Sequence, residues 1–343
     1  MKKQTNNILK FIFFLGLGVL LVWLTVKDIT KQQQEDILVS IQKANYSFIG
    51  LSFLVGIFSH YVRAVRWKIL LAPLGYQPKT SNTFFAVMVG YLVNLAVPRL
   101  GEVSRCGMLN SYEKIPFTEG FGSVIAERAL DLVCLVLIFF ITLFLEFDKI
   151  SGIADDLIFK YVSEKCRNLF QHKLLLGVLI GGFILIAGIL FYLRKKIQQT
   201  FSTKMKAFIN GLWQGLSSIK DVKQPVLFII NTLLIWLMYI LQVYVCFLAF
   251  SETAHLSFMT AAVLMVFGSL AIIVVPGGTG VYQTIVITIL TGVYLISQPG
   301  AFAFAWTVWT SQIILIAGGG LISLLLLDQL NKKNKSLNES ITT

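Results

Sequence analysis

The chain has 343 residues, of which 56% are hydrophobic and 13% are charged, and its mean hydropathy is +0.77. A soluble domain carries about 25% charged residues, so this composition excludes an ordinary water-soluble protein and indicates one that spans a membrane several times. The net charge of +12 lies in short loops and tails beside apolar segments, and without a compact basic domain it does not indicate nucleic-acid binding.

Apolar runs predict the membrane spans. Runs able to cross about 30 Å of hydrocarbon occupy residues 11–26, 47–62, 122–145, 174–193, 226–250 and 301–327. The first run is not followed by a small-residue cleavage site, so we interpret it as an uncleaved span. Less regular runs occupy 83–98, 257–275 and 281–297. The sequence predicts an all-α polytopic membrane helix bundle, with a single transmembrane domain over 1–330 and a polar tail over 331–343.

Lysine and arginine residues predict the orientation. The basic N-terminal tail, the basic cluster after the second run, the basic stretch 194–223 and the C-terminal tail are predicted to be cytoplasmic. Both termini therefore face the cytoplasm in this interpretation, and the membrane is expected to be the bacterial inner membrane. Apolar residues every three or four positions in 194–223 favour an amphipathic helix on the cytoplasmic leaflet, or a connecting helix packed on the bundle.

The segment 83–120 must begin and end on the same side of the membrane if these assignments hold. We predict a re-entrant helical hairpin there, with a span followed by a weakly apolar return helix as the alternative. The sequence also allows a second hairpin over 257–297, but two full crossings satisfy the same charge rule, and the sequence does not decide between them.

Two helix breaks have similar sequences. Each consists of an apolar run, then Val-Pro, then glycine, and the predicted break residues are Pro98, Gly101, Pro276, Gly277, Gly278 and Gly280, followed by Gln283. The two breaks would enter from opposite faces, which is typical of inverted repeats that meet at a site near the bilayer midplane.

Ionisable residues at membrane depth are candidates for function because they are costly there. Arg63 and Arg66 share a helix face and could hold a phosphate; the alternative is a surface anchor beside an interfacial Trp67. Downstream of Asn94, the spacing of Arg99, Glu102 and Arg105 predicts one polar helical stripe, which would bind an anionic headgroup, form internal ion pairs or lie in a solvated loop.

Three further charges lie near the start of the run 122–145. Glu127 and Asp131 share a helix face, and Arg128 lies beside Glu127. We expect their partners among the arginines at 63, 66, 99 and 105. The pattern predicts an ion-pair network that locks the hairpin to this helix, a substrate site, or both.

Motifs of soluble enzymes are absent from the sequence, including the Walker, GxSxG, HExxH and Rossmann patterns. Neither the four cysteines nor the three histidines have metal-ligand spacing. We therefore expect no cofactor, no metal and no enzymatic activity.

Four motifs in order resemble the transmembrane region of lysylphosphatidylglycerol synthase, the flippase-like domain family, over about 10–325. They are Arg63-x-x-Arg66-Trp67, Asn94-x-x-x-Pro98-Arg99-x-Gly101-Glu102-x-x-Arg105, Glu127-Arg128-x-x-Asp131 and Val275-Pro276-Gly277-Gly278-x-Gly280. The resemblance implies a bacterial or archaeal membrane protein. In two-part members this region is associated with moving aminoacylated phosphatidylglycerol between leaflets, while a soluble domain, expected to be missing here, attaches the amino acid. Family members often carry glutamate near Gln283, and glutamine loses that charge.

The expected function is a lipid translocase for an anionic or aminoacylated phospholipid or a lipid-linked precursor, with membrane lipids as its ligands. One alternative is an enzyme or non-catalytic subunit of a lipid or glycolipid pathway, with a synthase or glycosyltransferase as partner. Another is a membrane scaffold. No nucleic-acid partner is expected, and the sequence does not indicate the oligomeric state.

Overall fold

The computed structural model describes residues 29–97, 99–146 and 219–341, together with Trp23, Val26 and Lys27, and this part of the chain contains helices and no strand. The helices are α1 (Lys31–Lys43), α2 (Tyr46–Leu71), α3 (Thr80–Ala96), α4 (Leu100–Glu113), α5 (Phe117–Leu145), α6 (Pro225–Phe247), α7 (Phe258–Val274), α8 (Val281–Gly292) and α9 (Gln298–Ile341). Short 3-10 helices occupy Ala72–Leu74 and Pro276–Gly278. The predicted all-α class is confirmed.

Four of these helices, α2, α5, α6 and α9, are long and apolar enough to cross a membrane. They confirm the predicted spans 47–62, 122–145, 226–250 and 301–327. The predicted spans 11–26 and 174–193 lie outside the described residues, as does almost all of the predicted amphipathic helix 194–223. Helix α9 continues to Ile341, through the segment predicted as a polar tail.

The surfaces of the long helices are apolar. Phe144 on α5 is 82% exposed, Val226 on α6 is 70% exposed, and Leu325 on α9 is 67% exposed. An apolar surface of this extent is unfavourable in water and matches the hydrocarbon of a bilayer. The chain is a multi-pass integral membrane protein.

Local sequence signals set several helix boundaries. The hydroxyl of Thr30 and the backbone N–H of Gln33 form a capping box at the start of α1, Asn45 caps α2, and Ser257 caps α7. Helix α3 ends at Ala96 because Val97 is extended (φ −138°, ψ 110°), as expected for a residue that precedes a proline.

Two apolar cores hold the bundle together. Helices α2 to α5 and the short link between α4 and α5 meet around the fully buried Trp67, packed with Leu71, Ala86, Cys106, Leu109, Ile115 and Val124. The second core joins α6 to α9 and also includes α1, through Ile37, Ile240, Phe247, Leu264, Val286 and Phe304. Helix α2 packs along α6 and so connects the two halves.

Helices α3 and α4 form a tight hairpin. The glycines Gly90 and Gly101 let the two backbones approach so closely that a Cβ on Gly101 would overlap the Gly90 carbonyl oxygen. The Asn94 side-chain oxygen accepts a hydrogen bond from the Gly101 backbone N–H at 2.8 Å.

The return arms of the two predicted hairpins are short. Helix α4 has 14 residues and α8 has 12, which gives lengths of about 21 and 18 Å at a rise of 1.5 Å per residue. Both fall short of a hydrocarbon core about 30 Å thick. These lengths favour helices that turn back over helices that cross the membrane. Re-entry into the bilayer stays a prediction.

The two helix breaks have matching backbones. Helices α3 and α7 both have 17 residues, and each ends in an extended valine, Val97 and Val275. The residue after the proline, Arg99 or Gly277, is left-handed in both cases. The breaks also adjoin each other, since a Cβ on Gly277 would lie 3.8 Å from Cδ2 of Leu95. Helices α3 and α7 thus end at the two predicted positions, and the inverted repeat stays a prediction.

Candidate functional site

A buried network of charges joins α2, α4 and α5. It contains Arg63 and Arg66 from α2, Arg105 from α4, and Glu127 and Asp131 from α5. Arg66 and Glu127 are 0% exposed, and the other three are buried as well. The structure therefore brings together five of the residues that the sequence singled out.

The spacing of the charged residues along their helices explains why their side chains lie together. Glu127 and Asp131 are four residues apart on α5, and Arg63 and Arg66 are three apart on α2, so each pair presents both charges on one helix face. The two faces oppose each other where α2 packs against α5. Arg105 reaches the same point from the return arm of the hairpin.

Every carboxylate oxygen of the network has an arginine partner. Arg63 Nη1 donates to Glu127 Oε1 and, at 2.8 Å, to Asp131 Oδ2. Arg66 Nη2 donates to Asp131 Oδ1 at 2.7 Å and to Glu127 Oε1 at 3.2 Å. Arg105 Nη2 donates to Glu127 Oε2 at 2.9 Å. Breaking such buried pairs is costly because one charge would remain without a partner.

Aromatic residues complete the walls of the network. The Trp67 indole donates to Ser123 Oγ at 2.9 Å, and the Arg105 guanidinium lies over its ring at 4.5 Å. Tyr239 on α6 accepts from Arg63 Nε at 3.2 Å. Trp67 and the two arginines of α2 are thus interior residues, and the surface-anchor interpretation is wrong, because α2 continues to Leu71 and buries them.

The network has an excess of positive charge. Three arginines against two carboxylates leave a net charge of +1 (3 − 2). In addition, Nε of Arg66 and Nε of Arg105 are buried without a hydrogen-bond partner among the described residues. A buried excess of positive charge favours an anion or a negatively charged headgroup nearby.

A second ion pair flanks the network toward the hairpin. Arg128 Nη2 lies 3.2 Å from Glu102 Oε1, and their side chains are 40% and 19% exposed. Asn94 Nδ2 donates to the other oxygen of Glu102 at 3.4 Å. Between these residues and Arg105 lies a cavity of about 10 Å³, enough for one water molecule.

Arg99 is separate from the network. It is exposed, its φ is 64°, and it has no hydrogen bond or ion pair among the described residues. The predicted polar stripe through Arg99, Glu102 and Arg105 is wrong, because Arg99 precedes α4 in a left-handed conformation that is not helical. The partners of Glu127 and Asp131 are the other three predicted arginines.

The second break is held by Gln283 and Trp309. Gln283 is fully buried, and its Oε1 accepts from the Gly280 N–H at 2.8 Å, while its Nε2 has no partner among the described residues. The Trp309 indole donates to the Gly277 carbonyl at 2.8 Å. No sequence pattern indicates Trp309 or Tyr239, because a single aromatic residue in an apolar run does not differ from its neighbours.

The sequence of the chain matches a known protein family. A family model described as "Lysylphosphatidylglycerol synthase TM region" matches residues 7–318. The chain belongs to this family. The residues that match the family model include all four sequence motifs, and therefore both helix breaks and the charge network.

Three proteins with similar sequences come from archaea. The chain is 24% identical over 299 residues to the UPF0104 membrane protein MJ1595 of Methanocaldococcus jannaschii, covering 83% of this chain and 84% of the relative. It is 28% identical over 212 residues to MJ1078 of the same organism, covering 62% and 83%. A shorter match, 28% over 91 residues, covers 26% of this chain and 15% of the glycosyltransferase AglD of Haloferax volcanii. No solved structure matches the chain.

These relatives bear on two predictions. Membership of the family and the multi-pass membrane topology are confirmed. The bacterial inner membrane and the cytoplasmic location of both termini stay predictions, as does a substrate role for any residue of the network.

Proposed function

We propose that this protein is a lipid translocase, without enzymatic activity, for a phospholipid with an anionic or aminoacylated headgroup or for a lipid-linked precursor. The proposal rests on the position of Arg99. Among the described residues of the predicted site, it is the exposed arginine that has no hydrogen bond or ion pair. It lies at a helix break of a membrane protein whose family is named after a lipid synthase.

The two groups of arginines have different roles in this proposal. Arg63, Arg66 and Arg105 are engaged by Glu127 and Asp131, so they hold α2, α4 and α5 together and supply a net positive charge. Arg99 keeps all its guanidinium N–H groups available. A guanidinium binds phosphate through two parallel hydrogen bonds, which suits it to a phospholipid headgroup.

The helix breaks supply the path. Irregular backbone at membrane depth is tolerated where it is buried in protein or lines a cavity. Leu95 and Gly277 bring the two breaks side by side, so a headgroup held by Arg99 would lie beside both. The sequence contains no Walker motif, and we expect the movement to be downhill or driven by an ion gradient or a partner.

A leaflet-resolved assay in proteoliposomes tests the proposal. Labelled phosphatidylglycerol or lysylphosphatidylglycerol is placed in one leaflet, and its arrival in the other is followed by chemical quenching. We expect the protein to accelerate transfer and Arg99→Ala to slow it roughly tenfold, the equivalent of one charge-assisted hydrogen bond.

Lys114→Ala is the matched control. Lys114 is also basic, exposed and left-handed (φ 58°), but it follows α4 at its other end. We expect the rate of lipid transfer by Lys114→Ala to stay within twofold of the rate of the unmodified protein. A twofold change in rate corresponds to roughly a few tenths of a kcal/mol in the activation free energy. Transfer no faster than in protein-free liposomes, or equal loss in both variants, would overturn the proposal.

A second candidate function is a non-catalytic subunit of a lipid or glycolipid pathway. The observation that favours it is the partial similarity to a protein named as a glycosyltransferase. Purification in a mild detergent tests it: a stoichiometric synthase or glycosyltransferase partner would support this candidate, and a chain recovered alone with bound lipid would count against it.

A further inference from the structure

A groove of about 380 Å³ opens on the bundle surface, separate from the charge network. It lies between the last turns of α2, the link to α3 and the start of α6. Its lining residues are Val65, Lys68, Ile69, Ala72, Tyr76, Gln77, Thr80, Lys223, Gln224 and Leu227. None of the residues of the arginine–carboxylate network lines it.

The charged residues that line the groove are basic. They are two lysines, Lys68 and Lys223, and no acidic residue lines the groove. Lys68 is half-buried, and its Nζ donates to Thr80 Oγ1 at 2.7 Å, a neutral partner that leaves its charge uncompensated. Lys223 is exposed and has no hydrogen bond or ion pair among the described residues. Two uncompensated ammonium groups in one groove favour an anionic ligand.

Two acidic residues on neighbouring helices, Glu113 of α4 and Glu119 of α5, are already engaged, and Asp221, two residues before Lys223, does not line the groove. Glu113 accepts from the Lys79 backbone N–H at 3.1 Å and from the Asn82 side chain. Glu119 hydrogen-bonds the Tyr76 hydroxyl; burial and this bond raise the pKa of Tyr76 above its usual value. Neither carboxylate compensates the two lysines.

The groove also contains donors for phosphate oxygens. Thr80 accepts from Lys68 and keeps its own hydroxyl hydrogen available, and the Gln77 amide is exposed beside it. Helix α6 begins at the groove, and no side chain caps its first turn, so the positive end of the helix dipole adds to the lysines.

Apolar side chains also line the groove. They include Val65 and Ile69 of α2 and Leu227 of α6, which is 42% exposed, and the neighbouring Val226 is 70% exposed. A small inorganic anion would leave this wall uncovered, whereas the acyl chains of a lipid would cover it. We propose that the groove binds the phosphate of an anionic phospholipid between Lys68 and Lys223, with its acyl chains along α2 and α6.

This site does not depend on the proposed translocase activity. A lipid can occupy the groove in a protein that moves none, and translocation through the helix breaks does not require the groove. Binding measured here and leaflet transfer measured with Arg99→Ala therefore succeed or fail separately.

Lipid retention in nanodiscs tests the proposal. The protein is reconstituted with equimolar phosphatidylcholine and phosphatidylglycerol, and the lipids that remain bound are counted by native mass spectrometry. We expect the unmodified protein to retain phosphatidylglycerol in preference, and the double variant Lys68→Gln/Lys223→Gln to lose that preference severalfold. The double variant Lys31→Gln/Lys43→Gln on α1 removes the same charge away from the groove and should keep it.

Two further arms separate the alternatives. Lys223→Gln alone, at an exposed position without a hydrogen bond or ion pair among the described residues, should fold normally and weaken retention in the same direction. Lys68→Arg/Lys223→Arg should preserve it. Unchanged retention in the glutamine variants would overturn the site. Displacement of the lipid by millimolar inorganic phosphate, with phosphate bound in its place, would overturn the lipid as its ligand.

Discussion

Arg99 and Gly277 have the same backbone conformation, with φ at 64° in both and ψ at −1° and 4°. Each follows a Val-Pro pair at the end of a 17-residue helix. Glycine adopts this conformation freely, whereas a residue with a Cβ pays about 1 kcal/mol or more. The arginine therefore carries a backbone cost at a position where glycine would serve the turn.

Replacing Arg99 with glycine should separate the backbone strain of this residue from its proposed role in lipid binding. We expect Arg99→Gly to raise the free energy of unfolding by roughly 1 kcal/mol, because the left-handed strain is removed. It should at the same time reduce the gain in thermal stability on addition of phosphatidylglycerol, leaving only the part that comes from the groove lined by Lys68 and Lys223. Lys114→Gly at φ 58° should gain similar stability and keep the lipid response. An Arg99→Gly protein that is less stable than the original would contradict the strain argument.

The contact between Gly90 and Gly101 should control the hairpin. We expect Gly101→Ala to destabilise the protein by roughly 3 kcal/mol, because its Cβ would overlap the Gly90 carbonyl oxygen and push α4 away from α3. Gly107→Ala, on the same helix but with open space around its Cβ, should be neutral or slightly stabilising. Thermal unfolding in detergent measures both, and equal effects would show that the hairpin is not closely packed.

Removal of one carboxylate should disrupt the charge network. Glu127→Gln leaves Arg63 and Arg66 with Asp131 and removes the carboxylate partner of Arg105, so we expect a loss of about 3 to 5 kcal/mol. Glu102→Gln breaks a pair in which Arg128 is 40% exposed, so we expect about 1 kcal/mol or less. Chemical unfolding of the two variants in the same detergent compares them, and similar losses would mean that the burial of the network does not determine its stability.

The hydrogen bond from Ser40 to Glu252 should make the stability of the protein depend on pH. Burial alone would raise the pKa of the Glu252 carboxyl, but hydrogen bonds, foremost that from Ser40 at 2.8 Å, hold it below its usual value of 4.5. The stabilisation is present above this value and is lost as the pH falls through the lower pKa of the folded protein.

Ser40→Ala should therefore cost about 1 kcal/mol at neutral pH and little in acid. Melting temperatures measured across the acidic range should converge for the variant and the original protein. Ser111→Ala, which removes only a local bond to the Gly107 carbonyl, should show no such convergence. A Ser40→Ala difference that is independent of pH would contradict the assignment.

Periodicity and composition determined much of this protein. The described spans, the breaks at Val97-Pro98 and Val275-Pro276, and the shared faces of the charged pairs on α2 and α5 all follow from residues within one or two helical turns of each other. Such local patterns also indicated that Glu127 and Asp131 need arginine partners.

The tertiary structure alone decided which groups meet. It pairs Arg63, Arg66 and Arg105 with the carboxylates, leaves Arg99 free at a strained turn, and brings Lys68 and Lys223 to the lining of one groove although they are distant in the chain. The physical reason is that ion pairing and groove formation depend on which helices adjoin and at what register. That choice comes from packing between distant segments, such as the close approach of Gly90 to Gly101, and not from any periodic pattern within a helix.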